Sequence, residues 1–104
     1  MKTDRLQALL QFVKQNPDDA FVRYGLAQEY ANQGHLENAA EEFTRLVETN
    51  PSYQAAYYHG GQTYLKMGLK QEAHEWFKKG ITLAGHTGDV HARDELLTAL
   101  EESS

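Results

Sequence analysis

The chain is 104 residues long, 40% hydrophobic and 24% charged, with a formal net charge of −5 and no cysteine. That is one domain's worth of foldable, soluble chain, and it excludes disulfides, thiol nucleophiles and every cysteine-based metal centre. The acidity argues against nucleic acid, whose phosphates require clustered Lys and Arg. No apolar run approaches the ~18 residues that cross a bilayer. The charged start, Met1 to Arg5, is followed by an apolar stretch cut by Gln7, Gln11 and Lys14, which is not a leader pattern. A cytoplasmic protein with no membrane partner is expected, and Met1 and the tail Glu101-Glu102-Ser103-Ser104 point to natural ends.

Read in chain order, the apolar residues fall at helical spacing throughout, with no strand pattern. Leu6, Leu9, Leu10 and Val13 form a first stripe, and Val22, Leu26, Ala27, Tyr30 and Ala31 a second. Leu36, Ala39, Ala40, Phe43, Leu46 and Val47 form a third, and Ala56, Tyr57, Gly61, Tyr64 and Leu65 a fourth. Leu69, Ala73, Phe77, Ile81 and Ala84 follow, then Val90, Leu96, Leu97 and Leu100. Asn16-Pro17 and Asn50-Pro51 stop helices, because the residue before proline avoids helical angles. Asp18 and Ser52 then fit as caps for the next helices. Gly34 and Gly68 suit the left-handed position that ends a helix, Gly85 closes the fifth helix, and Thr87 caps the sixth. The expected spans are 2–15, 18–33, 36–49, 53–67, 70–84 and 88–101.

These stripes repeat. At a spacing of 34, Tyr24, Gln28, Tyr30, Gly34, Ala39, Glu41 and Phe43 meet Tyr58, Gln62, Tyr64, Gly68, Ala73, Glu75 and Phe77. These identities in one window compare with about two expected from ordinary composition. Val13, Asn16 and Pro17 meet Val47, Asn50 and Pro51, so the period begins before the first full unit. A helix–turn–helix period of this length resembles the tetratricopeptide repeat. Leu26-Ala27, Tyr30, Gly34, Ala39, Phe43 and Pro51 match that pattern in the first unit, and Tyr57, Gly61, Tyr64, Gly68, Ala73 and Phe77 in the second.

The resemblance implies an all-α solenoid of helical hairpins, about six antiparallel helices in a short right-handed superhelix. One domain over residues 1–104 divides into a partial unit at 1–19, full units at 20–53 and 54–87, and a capping helix at 88–104. The departures are Arg23 in place of a bulky aromatic, Gly60 in place of leucine, Gly80 in place of a larger apolar residue and Gly85 in place of proline. Each interior glycine costs about 1 kcal/mol relative to alanine. The second unit is therefore expected to be looser, unless a neighbouring side chain fills the space at Gly60.

Arrays of this kind bind a partner segment on the concave side, lined by the first helix of each unit. The residues implied here are Phe21, Tyr24, Gln28, Ala31 and Asn32, then Ala55, Tyr58, His59, Gln62, Leu65 and Lys66, with Asp89, Ala92 and Arg93 extending the surface. Tyrosine and amide side chains suit an extended peptide backbone. Core packing is an equal reading for Tyr24 and Tyr58; His59 on this surface would tune binding between pH 5 and 8, and it also reads as an ordinary surface histidine.

A clamp for a chaperone's terminal carboxylates is not expected. The corresponding residues are Tyr24, Gln28, His59, Asp89 and Arg93, and one Arg does not supply paired donors. No His-Glu-x-x-His, phosphate-binding glycine loop or nucleophile motif occurs, and His86, Asp89 and His91 form a turn cluster rather than a metal site. The expected protein is a non-catalytic module without cofactor or metal that binds a protein or peptide. Self-assembly into a homo-oligomer is the alternative, since the charge is uneven: 0 over residues 1–19, −3 over 20–53, +2 over 54–87 and −4 over 88–104.

Overall fold

A computed structural model describes the backbone of residues 2–104 and the side chains of residues 5–104; Met1, the first residue of the expected partial unit, lies outside the described residues. Six helices follow one another: α1 (Lys2–Gln15), α2 (Ala20–Asn32), α3 (Leu36–Thr49), α4 (Gln54–Lys66), α5 (Lys70–Thr87) and α6 (Val90–Glu102). There is no strand among the described residues. Each helix packs on the next, so the chain is a run of antiparallel hairpins.

Contacts between non-consecutive helices set the curvature. Helix α4 touches both α2 and α6, whereas α1, α3 and α5 do not touch one another among the described residues. The even helices therefore form the tighter, inner layer and the odd helices the splayed outer one. A hairpin cannot bury its apolar stripe alone, and stacking closes a continuous core. Phe43 sits in the first part of that core, with Ala27, Ala39, Leu46 and Ala56 around it. Phe77 sits in the second, with Ala73, Leu96 and Ala99.

The turns explain the helix ends. At Gly34 and Gly68 the backbone is left-handed, with φ of 82° and 79°. His35 N–H then reaches the Tyr30 carbonyl at 2.9 Å and Leu69 N–H the Tyr64 carbonyl at 2.9 Å, which satisfies carbonyls at the helix end. Four helix ends differ from the sequence expectation. Asp19, not Asp18, caps α2, accepting from Val22 N–H at 3.1 Å. No side chain caps α4, whose preceding residue is Tyr53 rather than Ser52. Helix α5 runs through Gly85 to Thr87 and ends at Gly88, with φ of 74°, and Asp89 rather than Thr87 caps α6 through Ala92 N–H at 3.0 Å. Gly85 costs helix propensity but does not stop a helix whose other side is held by the buried Ala84.

The family departures are compensated by neighbours. A Cβ on Gly60 would lie 2.5 Å from Cε3 and Cζ3 of Trp76, so the indole fills the space that leucine would take. A Cβ on Gly80 would lie 2.7 Å from Tyr57 Cβ and 2.8 Å from Leu96 Cδ1. The second hairpin is therefore packed through its glycines, not loosened by them. In the first hairpin Arg23 donates to Glu42 Oε1 at 2.6 Å and to the Pro17 carbonyl at 3.2 Å, with only 14% and 13% of the Arg23 and Glu42 side chains exposed.

Candidate functional site

The inner layer carries a row of aromatic rings built by the repeat. Tyr24 on α2 rests edge-on against buried Phe43, with centroids 6.3 Å apart, and Tyr58 on α4 rests against buried Phe77 at 6.4 Å. His59 joins the two units: its ring lies 5.8 Å from Tyr24 and 5.2 Å from Tyr58. Tyr53, at the start of α4, extends the row, 5.2 Å from Tyr24. The position equivalent to His59 in the first unit is Gly25, so the link exists only between the two units. Each ring has one side supported and the residue as a whole only half-buried. Such rings offer apolar area with a polar tip.

Burial sets the electrostatics of the row. It pushes the Tyr24 phenol above its ordinary range, with smaller contributions from Tyr53 and the Glu95 carboxylate. Burial, then the Asp19 carboxylate, does the same to Tyr53. Burial also holds the His59 imidazole below its usual value; Glu95 opposes this and Lys66 reinforces it. Glu95, on α6, thus acts on residues of both α2 and α4.

Beside the row a cleft of about 260 Å³ opens between α4 and α6, lined by Tyr58, His91, Asp94, Glu95, Thr98, Ala99 and Glu102. These α6 residues were missed in the sequence because the spacing changes. From Ala20 to Gln54 the first helices start 34 residues apart, but from Gln54 to Val90 they start 36 apart. On the longer spacing Asp94, Glu95 and Thr98 take the places of Tyr58, His59 and Gln62. Gly88 followed by Asp89 was the available signal for that shift.

The remaining residues expected from the sequence are dispersed along the even helices. Phe21 is 74% exposed on α2, Asn32 is exposed at the end of α2, and Gln28 and Gln62 are half-buried. Lys66 is exposed in the last turn of α4. Arg93 is exposed on α6 and is not among the residues lining the cleft. Larger hollows of about 370 and 520 Å³ lie by Pro17, Arg23 and Arg45, and between α3 and Met67. The first opens at the turns around Pro17 and Asn50 and the second along the outer helix α3, both away from the aromatic row, so volume alone does not choose the site. Among the described residues, no three His, Asp or Glu side chains are grouped to hold a metal ion, and no helix is long and apolar enough to cross a membrane.

Stacked helical hairpins with an open aromatic inner layer define a helical-repeat protein of the solenoid class. The tetratricopeptide repeat family model matches residues 1–100. The chain belongs to the tetratricopeptide repeat family. It is 29% identical to a TPR repeat-containing protein of Pseudomonas aeruginosa over 97 residues, covering 93% of this chain and 92% of the relative. The solution structure of a tetratricopeptide repeat domain protein from Salinibacter ruber is 34% identical, with a TM-score of 0.80 over 86% of this chain and 90% of that one. The TPR2B domain of yeast Sti1, solved in its pHsp70 complex, shares the fold at a TM-score of 0.91 and 16% identity, over 98% of this chain and 82% of that one.

Proposed function

We propose that the protein is a non-catalytic interaction module that holds a segment of another protein against the face of α2, α4 and α6. The observation that carries this reading is the supported but open row Tyr53, Tyr24, His59 and Tyr58. Half-buried rings present contact area whose rotamers are already fixed, so little entropy is lost on binding. Gln28 and Gln62 add donors and acceptors for an extended backbone. The Sti1 domain, a protein of the same fold, carries its partner as a complex, which supports the class of function rather than the partner. Residues 20–53 and 54–87 act as the two full units in this reading, 1–19 as a partial one and 88–104 as a cap, in a cytoplasmic setting.

The test is capture from a lysate of the source organism by wild type and by a Tyr24→Ala/Tyr58→Ala variant of unchanged helicity. Capture is expected to be lost in the variant. A partner held equally by both moves the site to another face.

A second reading, self-assembly, rests on the exposed apolar side chains of the first two helices. Phe12 is 53% and Phe21 74% exposed, and among the described residues α1 packs on α2 alone. A molar mass that stays monomeric across a wide concentration series removes it.

A further inference from the structure

The inner face is not electrically neutral. Asp94, Glu95 and Glu102 line the cleft beside Tyr58, and all three are exposed. None of them forms an ion pair among the described residues, where the carboxylates in such pairs are Glu29 and Glu42. The segment 88–104 carries −4, whereas the lysines Lys70, Lys78 and Lys79 are exposed on α5, in the outer layer. His59 faces Tyr24, Tyr58, Glu95 and Lys66, and burial disfavours its charged form, while His91 shares the cleft lining with the carboxylates. Lys66, at the end of α4, and Arg93, on α6, are the cations nearest in sequence to this face, and neither lines the cleft.

We infer that the cleft between α4 and α6 accepts a Lys or Arg side chain, so that the partner is a basic, extended peptide segment. This inference rests on the groove reading given above and names the chemistry of its occupant. The cation would lie between the Asp94 and Glu95 carboxylates and the face of Tyr58, in a lining that His91 shares. Carboxylates supply the charge-assisted hydrogen bonds and the Tyr58 ring a cation–π attraction. An acidic tail of the kind a carboxylate clamp holds would meet charges of its own sign here. The open acidic field also steers a basic segment during encounter, an effect that salt weakens.

The probe is a fluorescein-labelled peptide alternating Lys and Leu, with a second peptide carrying Glu in place of Lys. About nine residues in extended form span about 30 Å, enough to cross a molecule 28 Å in its middle dimension. Anisotropy titrations compare wild type, Asp94→Asn/Glu95→Gln and Tyr58→Ala, each checked for helicity, at about 50 and about 300 mM salt.

Wild type is expected to prefer the Lys peptide by about tenfold or more at low salt. That preference should shrink at high salt and disappear in the Asn/Gln variant, while Tyr58→Ala weakens binding of both peptides. Equal affinity for both peptides, still sensitive to Tyr58→Ala, overturns the basic-segment inference and leaves the groove reading standing. A preference that survives in the Asn/Gln variant overturns the inference by placing the charge recognition elsewhere. Binding indifferent to Tyr58→Ala overturns both readings. No binding of either peptide to wild type overturns the inference. Sedimentation of the same samples covers a second copy as occupant: self-association abolished by Asp94→Asn/Glu95→Gln also overturns it.

Discussion

At the scale of single residues, the two hairpins solve the same packing problem with different triplets. Arg23, Leu26 and Glu42 in the first become Tyr57, Gly60 and Trp76 in the second, each 34 residues on. Where Glu42 is small enough to leave room for Leu26, Trp76 is large, rests 6.0 Å from the Tyr57 ring and 5.6 Å from the Tyr64 ring, and needs Gly60 beneath it. Gly60→Ala should therefore destabilise by about 1–3 kcal/mol, because the added methyl meets the indole. In a Trp76→Ala background the same change should reverse sign and stabilise by up to about 1 kcal/mol, since only the helix propensity remains. Urea denaturation of the four proteins in this cycle measures the reversal; additivity within about 0.5 kcal/mol would show that Gly60 and Trp76 do not compensate each other. The departures themselves stood out in the sequence, but their remedies did not. Residues 60 and 76 lie on different helices, and a spacing pattern along one helix does not report what fills a neighbour's gap.

At the scale of helices, Arg23 ties three elements: it pairs with Glu42 across α2 and α3 and reaches the Pro17 carbonyl in the turn after α1. Removing Arg23 leaves the largely covered Glu42 carboxylate with the exposed Arg45, 3.9 Å away, as its counter-charge. Arg23→Leu should cost about 3 kcal/mol, while Arg23→Leu/Glu42→Leu should fall within about 1 kcal/mol of wild type, because two apolar side chains need no partner. Thermal and urea unfolding of both variants test this; a double variant as unstable as the single one would show that the pair contributes more than it costs to bury. The helix ends divide differently. Gly34, Gly68 and the two Asn-Pro turns were legible because each has a local backbone requirement. The end of α5 was not, since Gly85 and Gly88 look alike in sequence and only the second adopts a left-handed conformation. The longer turn moves the start of α6 two residues beyond the 34-residue period, so Asp94, Glu95 and Thr98, not residues on the 34-residue spacing, stand in the places of Tyr58, His59 and Gln62. Asp89 holds the helix start: Asp89→Ala should cost about 1 kcal/mol. Among the described residues helix α6 packs only on α5 and α4, so the loss should appear as faster amide exchange in α6, with α2 and α3 unchanged.

At the scale of the whole molecule, stacking makes one residue answer to three helices. His59 faces Tyr24 from α2, Tyr58 and Lys66 from α4 and Glu95 from α6. The resemblance already implies one surface for Tyr24, Tyr58, His59 and Lys66, but Glu95 becomes a neighbour only when α6 stacks on the second unit. Burial, the largest influence, lowers its folded-state pKa below the ordinary 6.5, with Lys66 acting in the same direction and Glu95 against it. The unfolded chain then binds a proton before the folded one does. The stabilising contribution of neutral His59 is complete above pH 6.5 and is lost as pH falls through and below that value. Between pH 7.5 and pH 5.5, about one unit either side of that value, wild type should lose more stability in urea than His59→Gln, whose amide stays neutral. Equal losses would show that His59 is solvated like a surface residue and that the aromatic row does not enclose it. The same protonation places a positive charge beside Glu95. If a basic segment occupies the cleft, its affinity should therefore fall over this pH interval in wild type, and fall less in His59→Gln. Stability and binding then respond to one proton, at the point where the two repeats meet.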